Sequence, residues 1–290
     1  MTEFHLFLPQ MRLSLDALVQ RARVAEDVGF TGIALMDHLA PPMALDQPMF
    51  DAMVTAAWLA AHTERLVIGH LVLCDSLRHP AVLAREAVSL DHASGGRFEL
   101  GIGWGSVPEE LTTFGIGSVD ARTRVRRLGE TLSLLRALWS GEQVDFHGEH
   151  FTVTGGMQRP TPLDRIPIVI GGAGPRTLEL VAAHADWWNL PLYAVERLEE
   201  LRPKAGGART SVQEMITFLP AGGDAEQVEA TAARRFGRMR GRVTGTAAEL
   251  AEHYRGLVGR GVERFYCWFS DFADPATLEE FGASVIGALR

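Results

Sequence analysis

The stretch "SGGRFELGIGWGS", from Ser94 to Ser106, contains a short β-type run that ends in alternating glycines. Gly101, Gly103 and Gly105 carry no side chains, which indicates that a ligand or another part of the backbone approaches the end of this strand closely. A dinucleotide-binding loop has the different spacing G-x-G-x-x-G and follows the first strand of its domain. The stretch therefore predicts a strand that ends at a binding face, and it argues against a Rossmann domain.

The overall composition is that of an ordinary globular protein. The chain has 290 residues, a net charge of −8, 47% hydrophobic residues and 22% charged residues. The acidic balance argues against nucleic acid as a partner, and no apolar run approaches the roughly twenty residues of a membrane span. Cys74 and Cys267 lack the spacing of a metal or redox motif. We expect a cytoplasmic protein with free thiols, because its first residues do not resemble a signal peptide.

Working outward from the opening stretch, short β-type runs alternate with amphipathic helical runs. This alternation is typical of an α/β protein, and the strand number favours a (β/α)₈ TIM barrel with insertion segments over an open doubly wound sheet. We expect one domain over residues 1–290, with a hairpin insertion at about 141–165 and an arginine-rich helical excursion at about 221–244. The predicted strands are Phe4 to Leu8, Gly32 to Met36, Leu66 to Leu73, Phe98 to Ile102, Pro167 to Ile170, Trp187 to Leu190, Met215 to Leu219 and Phe265 to Phe269.

The active site of such a barrel lies at the carboxyl ends of its strands. Asp37 and His38 follow the second strand, Cys74 follows the third, and "GIGWGS" ends the fourth. These strand ends are rich in glycine and poor in paired carboxylates. They therefore favour a large flat ligand that lies against the backbone.

A second glycine loop, "GGAGPR", follows the fifth strand. Gly171, Gly172, Ala173 and Gly174 lead into a helix, and backbone N–H groups at a helix N-terminus bind phosphate readily. Arg176, in the first turn, can add a charge-assisted contact. The alternative is that these glycines only make a tight turn between strand and helix, but the phosphate interpretation is favoured at this face of the fold.

Two long segments carry a family resemblance. "IGHLVLCDSLRHPAVLAREAVSLDHASGGRFELGIGWG" and "PIVIGGAGPRTLELVAAHADWWN" together resemble the luciferase-like flavin-dependent oxidoreductases, and more narrowly the branch that uses the deazaflavin coenzyme F420. The resemblance implies a (β/α)₈ barrel that binds F420 or FMN at its carboxyl face. It also implies a homodimer formed through the early helices and a non-prolyl cis peptide in the third strand, at Leu71–Val72 by position.

The resemblance also implies roles for the residues after the second strand. Asp37 and His38 match the Asp-His pair of F420-dependent sugar-phosphate dehydrogenases, in which the histidine accepts a proton beside the ring. Histidine suits that role because its pKa lies close to neutrality. The alternative is that Asp37 only caps the following loop and that His38 is partly exposed and has no catalytic role. Ser106 stands where those dehydrogenases carry a glutamate, which argues against a sugar-phosphate substrate.

The cofactor-binding residues implied by the resemblance lie in three segments. The third strand is expected to lie behind the ring, the loop after the fourth strand is expected to border it, and the loop after the fifth strand is expected to hold the phosphate. The alternative for Trp104 is a packing role, which aromatic side chains at strand ends have more often than a role in binding. The expected set is Leu71, Val72, Cys74, Gly103, Trp104, Gly105, Ser106, Gly171, Gly172, Ala173, Gly174 and Arg176.

Cations at the rim of the barrel would be needed for the acidic tail of F420. Arg176, Arg202, Lys204 and Arg209 are candidates. No metal site is expected, because the pair His147 and His150 lacks the helical spacing and the third ligand of a zinc site.

The favoured function is therefore hydride transfer between F420 and a small organic substrate, with His38 and Asp37 as the catalytic residues. An FMN-dependent monooxygenase that uses reduced flavin and oxygen is the close alternative. A flavin-binding barrel without turnover is a weaker alternative, because it would have no use for His38.

Overall fold

The computed structural model describes residues 2–42, 44–117, 120–237, 239 and 241–290. Within them, strands and helices alternate along the chain, and neighbouring strands of the main sheet pair in parallel. The strands are β1 (Glu3–Phe7), β2 (Gly32–Leu35), β3 (Val67–His70), β4 (Leu73–Cys74), β5 (Leu100–Gly103), β6 (Val144–His147), β7 (Thr152–Gly156), β8 (Ile168–Gly171), β9 (Trp187–Leu190), β10 (Arg209–Phe218), β11 (Arg242–Gly245) and β12 (Arg264–Phe269).

The main sheet closes on itself. Its order is β3-β2-β1-β12-β10-β9-β8-β5-β4, and β3 and β4 are two parts of the predicted third strand. The circle closes because Ile68 N–H donates to the Arg97 carbonyl at 2.8 Å and Glu99 N–H donates to the Ile68 carbonyl at 3.0 Å. The predicted (β/α)₈ barrel is confirmed, with its third strand divided.

The helices surround the barrel, and the chain encodes their ends locally. Ser14 accepts a hydrogen bond from Ala17 N–H at 3.2 Å, and Gly29, with φ of 103°, ends the first helix as predicted. The helices are α1 (Leu15–Val28), α2 (Ala52–His62), α3 (Pro80–Ser94), α4 (Pro108–Thr113), α5 (Ala121–Trp139), α6 (Pro175–His184), α7 (Leu198–Leu201), α8 (Ala225–Phe236), α9 (Ala247–Gly259) and α10 (Pro275–Phe281).

Two segments depart from the simple alternation of strand and helix. Strands β6 and β7 form an antiparallel hairpin inside the range expected for an insertion. The arginine-rich stretch expected to be helical holds α8 and then β11, which pairs in parallel with β10. Arg238 and Arg240, in the same stretch, lie outside the described residues. Among the described helices, none combines the length and the apolar character that crossing a membrane requires.

Apolar side chains fill two regions. The larger region lies between the strands and the surrounding helices, whereas Phe7, Ala34 and Tyr266 form a separate cluster inside the barrel. Below this inner cluster, at the amino end of the strands, Arg264 forms ion pairs of 2.7 Å with both Glu99 and Glu3. Buried charges therefore lie at the amino end of the barrel, and partly exposed apolar side chains lie toward its carboxyl end.

Candidate active site

The glycines of the opening stretch allow close packing of the fourth strand against the third strand. A Cβ atom on Gly101 would overlap the backbone carbonyl of His70, and one on Gly103 would lie 2.8 Å from Val72 Cγ2. A Cβ on Gly105, which has φ of +87°, would lie 2.8 Å from Cys74 Sγ. All three glycines therefore face the third strand. The close approach that the sequence indicates is made by a neighbouring strand and not by a ligand alone.

The third strand bends where the resemblance places a cis peptide. The bond Leu71–Val72 is cis and non-prolyl, as expected, and it lies between β3 and β4. Leu71 N–H still pairs with the Leu35 carbonyl of β2 at 2.8 Å. Just beyond the bend, burial raises the pKa of the Cys74 thiol to about 11. Cys74 is therefore a neutral thiol at physiological pH, and its position fits packing and not nucleophilic or redox chemistry.

Asp37 is occupied by structural contacts. Its carboxylate forms a bidentate pair with Arg78, at 2.6 and 3.1 Å, and accepts a hydrogen bond from Cys74 N–H at 2.8 Å. Both side chains of the pair are largely buried. Asp37 thus ties the end of β2 to the start of the loop after β4, and this geometry suits a positioning role better than proton transfer.

His38, in contrast, is free on one side. Its Nδ1 lies 3.0 Å from Glu110 Oε2, and no described residue bonds its Nε2. Glu110 Oε1 also accepts a hydrogen bond from Ala40 N–H at 3.2 Å. With a proton on Nδ1 donated to Glu110, Nε2 is left as an acceptor.

Sequence reasoning missed Glu110. It lies in α4, four positions after Ser106, where the family resemblance leads one to expect a glutamate. A search for a carboxylate within a few positions of Ser106 would have found Glu109 and Glu110, but the pairing of Glu110 with His38 spans 72 positions and is visible only in the fold.

The two glycine loops meet at Trp104. Its indole Nε1 donates to Thr177 Oγ1, in the first turn of α6, at 3.3 Å. Strands β5 and β8 are neighbours in the barrel, so the loops that follow them lie side by side. Trp188, in contrast, is fully buried and donates its Nε1 hydrogen to the Gly172 carbonyl at 2.8 Å, so it is a packing residue.

Arg124 lies beneath the first of these loops. It is 3% exposed, and its Nη1 donates to the carbonyls of Trp104 and Gly105 at 3.3 and 3.0 Å. Among the described residues, its Nε has no acceptor and no carboxylate pairs with its guanidinium. A buried guanidinium without an acid partner favours a nearby anion. From the sequence, Arg124 is only one of several arginines on α5.

The second glycine loop provides free backbone donors. Gly172, with φ of +142°, donates its N–H to the Asn189 carbonyl at 3.1 Å. Across the described part of the chain, the N–H groups of Ala173 and Gly174 have no acceptor, and Arg176 is exposed without an ion-pair partner. These groups stand at the N-terminus of α6, where an anion is favoured.

Three of the candidate rim cations are not at the rim. Arg209 begins β10 and pairs with Glu263 at 2.9 Å and with Glu3 at 3.2 Å, at the amino end of the barrel. Arg202 donates to the Arg260 carbonyl, and Lys204 pairs with Glu200. The expectation that these side chains could reach the rim is wrong, because segments that lead into a parallel strand lie at its amino end. Of that set, only Arg176 lies in the loop region directly after the carboxyl end of a strand, β8.

One acidic group near the hairpin has the spacing of a metal site. Ligand atoms of Glu130, Glu149 and His150 lie within 4.8 Å of one another, whereas His147 is exposed and outside this group. The Glu130 carboxylate already accepts the N–H groups of Glu149 and His150 at 2.7 and 2.9 Å. It stabilises the hairpin turn, as a capping acceptor does.

Known proteins resemble the chain in sequence and in fold. It is 34% identical over 203 residues to an F420-dependent glucose-6-phosphate dehydrogenase of Microbacterium testaceum, covering 67% of this chain and 60% of that protein. It is 31% identical over 205 residues to an F420-dependent hydroxymycolic acid dehydrogenase of Mycobacterium tuberculosis, covering 70% and 56%. The chain thus spans about three fifths of the length of these relatives.

A solved structure shares the whole fold. An F420-dependent secondary alcohol dehydrogenase, in complex with an F420-acetone adduct, superposes with a TM-score of 0.85 at 20% identity, over 100% of this chain and 99% of that one. The sequence model of the luciferase-like monooxygenases matches residues 2–264. The chain therefore belongs to the luciferase-like monooxygenase family.

Proposed function

We propose that residues 1–290 act as one catalytic domain, an oxidoreductase that uses coenzyme F420 for hydride transfer to or from a small organic substrate. Relatives with 31 to 34% identity are named as F420-dependent dehydrogenases, which supports F420 over FMN. The observation that carries the proposal is the His38–Glu110 pair at the carboxyl end of β2, beside the bend in the third strand. A barrel without turnover would have no need of this pair.

The residues at the mouth fit such a coenzyme. Gly101 and Gly103 keep the end of β5 flat, and Leu71 and Val72 offer an apolar surface at the bend. Leu71, Val72 and Cys74 would lie behind the ring, and Gly103, Trp104, Gly105 and Ser106 would border it. The free N–H groups of Ala173 and Gly174, with Gly171, Gly172 and Arg176, would hold the phosphate. Arg124 would add the buried positive charge that an anionic coenzyme requires.

The reaction needs a proton acceptor beside a hydride carrier. When bound, the deazaflavin exchanges a hydride at its C5. His38 Nε2 takes the proton that leaves the substrate hydroxyl, while Glu110 holds Nδ1 and stabilises the imidazolium that forms. Asp37 and Arg78 fix the β2 end from which His38 projects. In the reverse direction the same imidazolium returns the proton.

The cofactor assignment can be tested by titration. The purified protein is titrated with F420 and with FMN, in both redox states, and binding is followed by fluorescence. We expect tight binding of F420; tight binding of FMN with none of F420 would make the protein an FMN-dependent enzyme instead. Binding of F420 with no turnover of any substrate would favour a binding protein.

Two arginines of one helix provide a matched control for this titration. Arg124→Met removes the buried cation without leaving an unpaired acid, and we expect F420 affinity to fall about tenfold or more. Arg122→Met removes an exposed cation two positions earlier. If both substitutions lower F420 affinity equally, Arg124 does not contribute to the coenzyme site.

We also propose that the protein forms a homodimer through its early helices. Val54 and Trp58 on α2 are 72% and 40% exposed, and Val82 on α3 is 52% exposed. An apolar stripe of this kind on a surface helix favours a partner helix. Trp58→Glu should halve the mass measured by light scattering, whereas Val258→Glu on α9 should leave it unchanged. A wild-type protein of monomer mass would contradict the proposal.

A cytoplasmic location is the last element of the proposal. Cys74 and Cys267 are both buried and unpaired. Free thiols of this kind are typical of a reducing compartment. Cell fractionation tests this location, and recovery of the protein with secreted or membrane material would contradict it.

A further inference from the structure

The side chain of Gln10 joins the two ends of the loop that carries His38. This side chain is fully buried. Its Nε2 donates hydrogen bonds to the Met36 carbonyl at 2.6 Å and to the Phe50 carbonyl at 3.1 Å, and its Oε1 accepts one from Met36 N–H at 3.2 Å. Met36 directly follows β2, and Phe50 lies shortly before α2. One amide therefore uses both of its N–H hydrogens and its oxygen to close the loop between β2 and α2.

The backbone of the first strand has no donor to offer at this point. The register of β1 and β2 pairs Phe7 with Ala34. Continued by two positions, it would bring Pro9 opposite Met36, but proline has no N–H. The Gln10 amide carries a donor and an acceptor, as a peptide group does, and pairs with both backbone groups of Met36. The side chain therefore continues the attachment of β2 to the first strand beyond the end of their backbone pairing.

His38 lies between two points at which this loop is attached. Met36, which Gln10 holds, is two residues before it. Ala40 is two residues after it, and its N–H donates to Glu110 Oε1 at 3.2 Å. His38 Nδ1 itself lies 3.0 Å from the other oxygen of Glu110. A side chain whose backbone is held on both sides keeps a defined orientation, which a group that accepts a proton in a reaction requires.

We propose, on the basis of the function proposed above, that Gln10 is a positioning residue for the hydride-transfer reaction. Its amide fixes the peptide groups of Met36, and this fixes the orientation in which His38 accepts the proton at Nε2 while Glu110 holds Nδ1. Gln10 acts through the loop and takes no part in the bond changes. Because a shift of about 1 Å in a catalytic group lowers a rate about 10²-fold, loss of these hydrogen bonds should lower kcat.

The alternative role of Gln10 is stabilisation of the fold alone. Removing the amide leaves the buried N–H and carbonyl of Met36 without partners, which lowers the free energy of unfolding whatever the reaction. This role by itself would leave kcat unchanged in the molecules that stay folded. The loop proposed to hold the coenzyme phosphate follows β8, on the opposite side of the barrel from β1. The affinity for F420 therefore separates a local change at His38 from a general distortion of the barrel.

Gln10→Met removes all three side-chain hydrogen bonds but keeps the length and the unbranched shape of the side chain. Activity is measured with the compound, from a panel of small alcohols and sugar phosphates, that reduces F420 fastest in the wild type. We expect kcat to fall about tenfold or more while F420 affinity stays within about twofold of the wild-type value. Gln20→Met, at an exposed position on α1, is the matched control and should change neither value. A kcat for folded Gln10→Met within about twofold of the wild-type value would overturn the proposal, as would equal losses of kcat and affinity.

Gln10→Glu tests the same role by rescue and remains informative if Gln10→Met does not fold. A protonated carboxyl group donates one hydrogen bond and accepts another, so it pairs with both backbone groups of Met36, whereas a carboxylate donates none. The ratio of the variant's kcat to that of the wild type should be close to one while this carboxyl group is protonated, and it should fall about tenfold as the group ionises. The ionisation is followed by NMR of the carboxyl carbon. A ratio that stays constant through the ionisation would overturn the proposal.

A spectroscopic measurement separates this role from the proposed function. If the wild type transfers no hydride with any compound, the proposed function fails, and Gln10 is then judged by the His38 ring in the coenzyme-free protein. Nitrogen NMR distinguishes the two neutral tautomers of histidine, and His38→Ala identifies the signals of His38. The wild type should carry the proton on Nδ1, bonded to Glu110, whereas Gln10→Met should show a mixture of tautomers. Identical His38 signals in both proteins would show that Gln10 does not position this ring.

Discussion

His38 Nδ1 lies 3.0 Å from Glu110 Oε2, although the two residues are 72 positions apart in the chain. The carboxylate holds the ring in one tautomer and would stabilise the imidazolium that forms when Nε2 accepts a proton. Glu110→Gln keeps a hydrogen-bonding group of the same size but removes the negative charge. We therefore expect kcat to fall about tenfold or more, with little change in F420 affinity.

Glu109 provides the control for this prediction. It is exposed and lies beside Glu110 on the same short helix. Glu109→Gln changes the local charge by the same amount without touching His38, and kcat should stay within twofold of the wild-type value. A kcat for Glu110→Gln that equals that of Glu109→Gln would show that the pair has no part in turnover.

Gly101 leads to a prediction about stability. An alanine Cβ at this position would overlap the carbonyl of His70, which belongs to the backbone and cannot rotate away. Gly101→Ala should lower the free energy of unfolding by about 1–3 kcal/mol or more, as measured by urea denaturation. Gly256, on α9, has open space around its Cα, and Gly256→Ala should be neutral or stabilising by up to about 1 kcal/mol. Similar effects at both positions would contradict the packing described here.

The buried pair of Asp37 and Arg78 predicts a second large effect. Asp37→Asn would leave Arg78 without its bidentate partner, and we expect a loss of about 3–5 kcal/mol of unfolding free energy. Asp51, a more distant partner of Arg78 at 3.5 Å, is 54% exposed. Asp51→Asn should cost less than about 1 kcal/mol, because asparagine still caps α2. A mild effect of Asp37→Asn would mean that the pair does not anchor the end of β2.

Much of this fold could be predicted from the sequence, because its strands are short apolar runs between clear helix signals. The eight strands and the Ser14 cap follow from local pattern. Two differences have a physical cause. The third strand is divided at a bend that periodicity does not encode, and β10 begins at Arg209, six residues earlier than predicted, because its first half is polar yet faces buried neighbours.

The candidate site could be predicted only in part. Strand-end positions placed Asp37 and His38 at the same edge of the barrel as the glycine loops. The sequence does not show which partner each side chain takes, so its pattern groups Asp37 with the catalytic residues, whereas in the structure the Asp37 carboxylate is paired with Arg78. Glu110 and Arg124 were missed for the same reason, since their contacts with His38 and Trp104 exist only after the barrel closes.

A pH-dependent contribution to stability is expected from α9. His253 Nε2 lies 2.7 Å from the buried carboxylate of Glu214, and this hydrogen bond raises the pKa of His253 above its usual value. A raised pKa in the folded state means that the stabilisation is complete below about pH 6.5 and is lost as the pH rises through the higher value.

The pair can be isolated by comparing wild type with His253→Gln. The difference in their unfolding free energies, from urea denaturation, should be larger at pH 6 than at pH 9. Other titrating groups are common to both proteins and cancel in the difference. An equal difference at the two pH values would show that the ion pair contributes nothing.

The most direct measurement is a single-turnover reduction of F420 by each of a panel of small alcohols, followed by stopped-flow absorbance in the wild type and in His38→Ala. The account predicts that the wild type reduces bound F420 and that His38→Ala binds F420 with unchanged affinity but reduces it about 10²–10⁴-fold more slowly. Equal rates of reduction in the two proteins would contradict the account. So would a wild type that binds F420 but does not reduce it with any of the substrates tested.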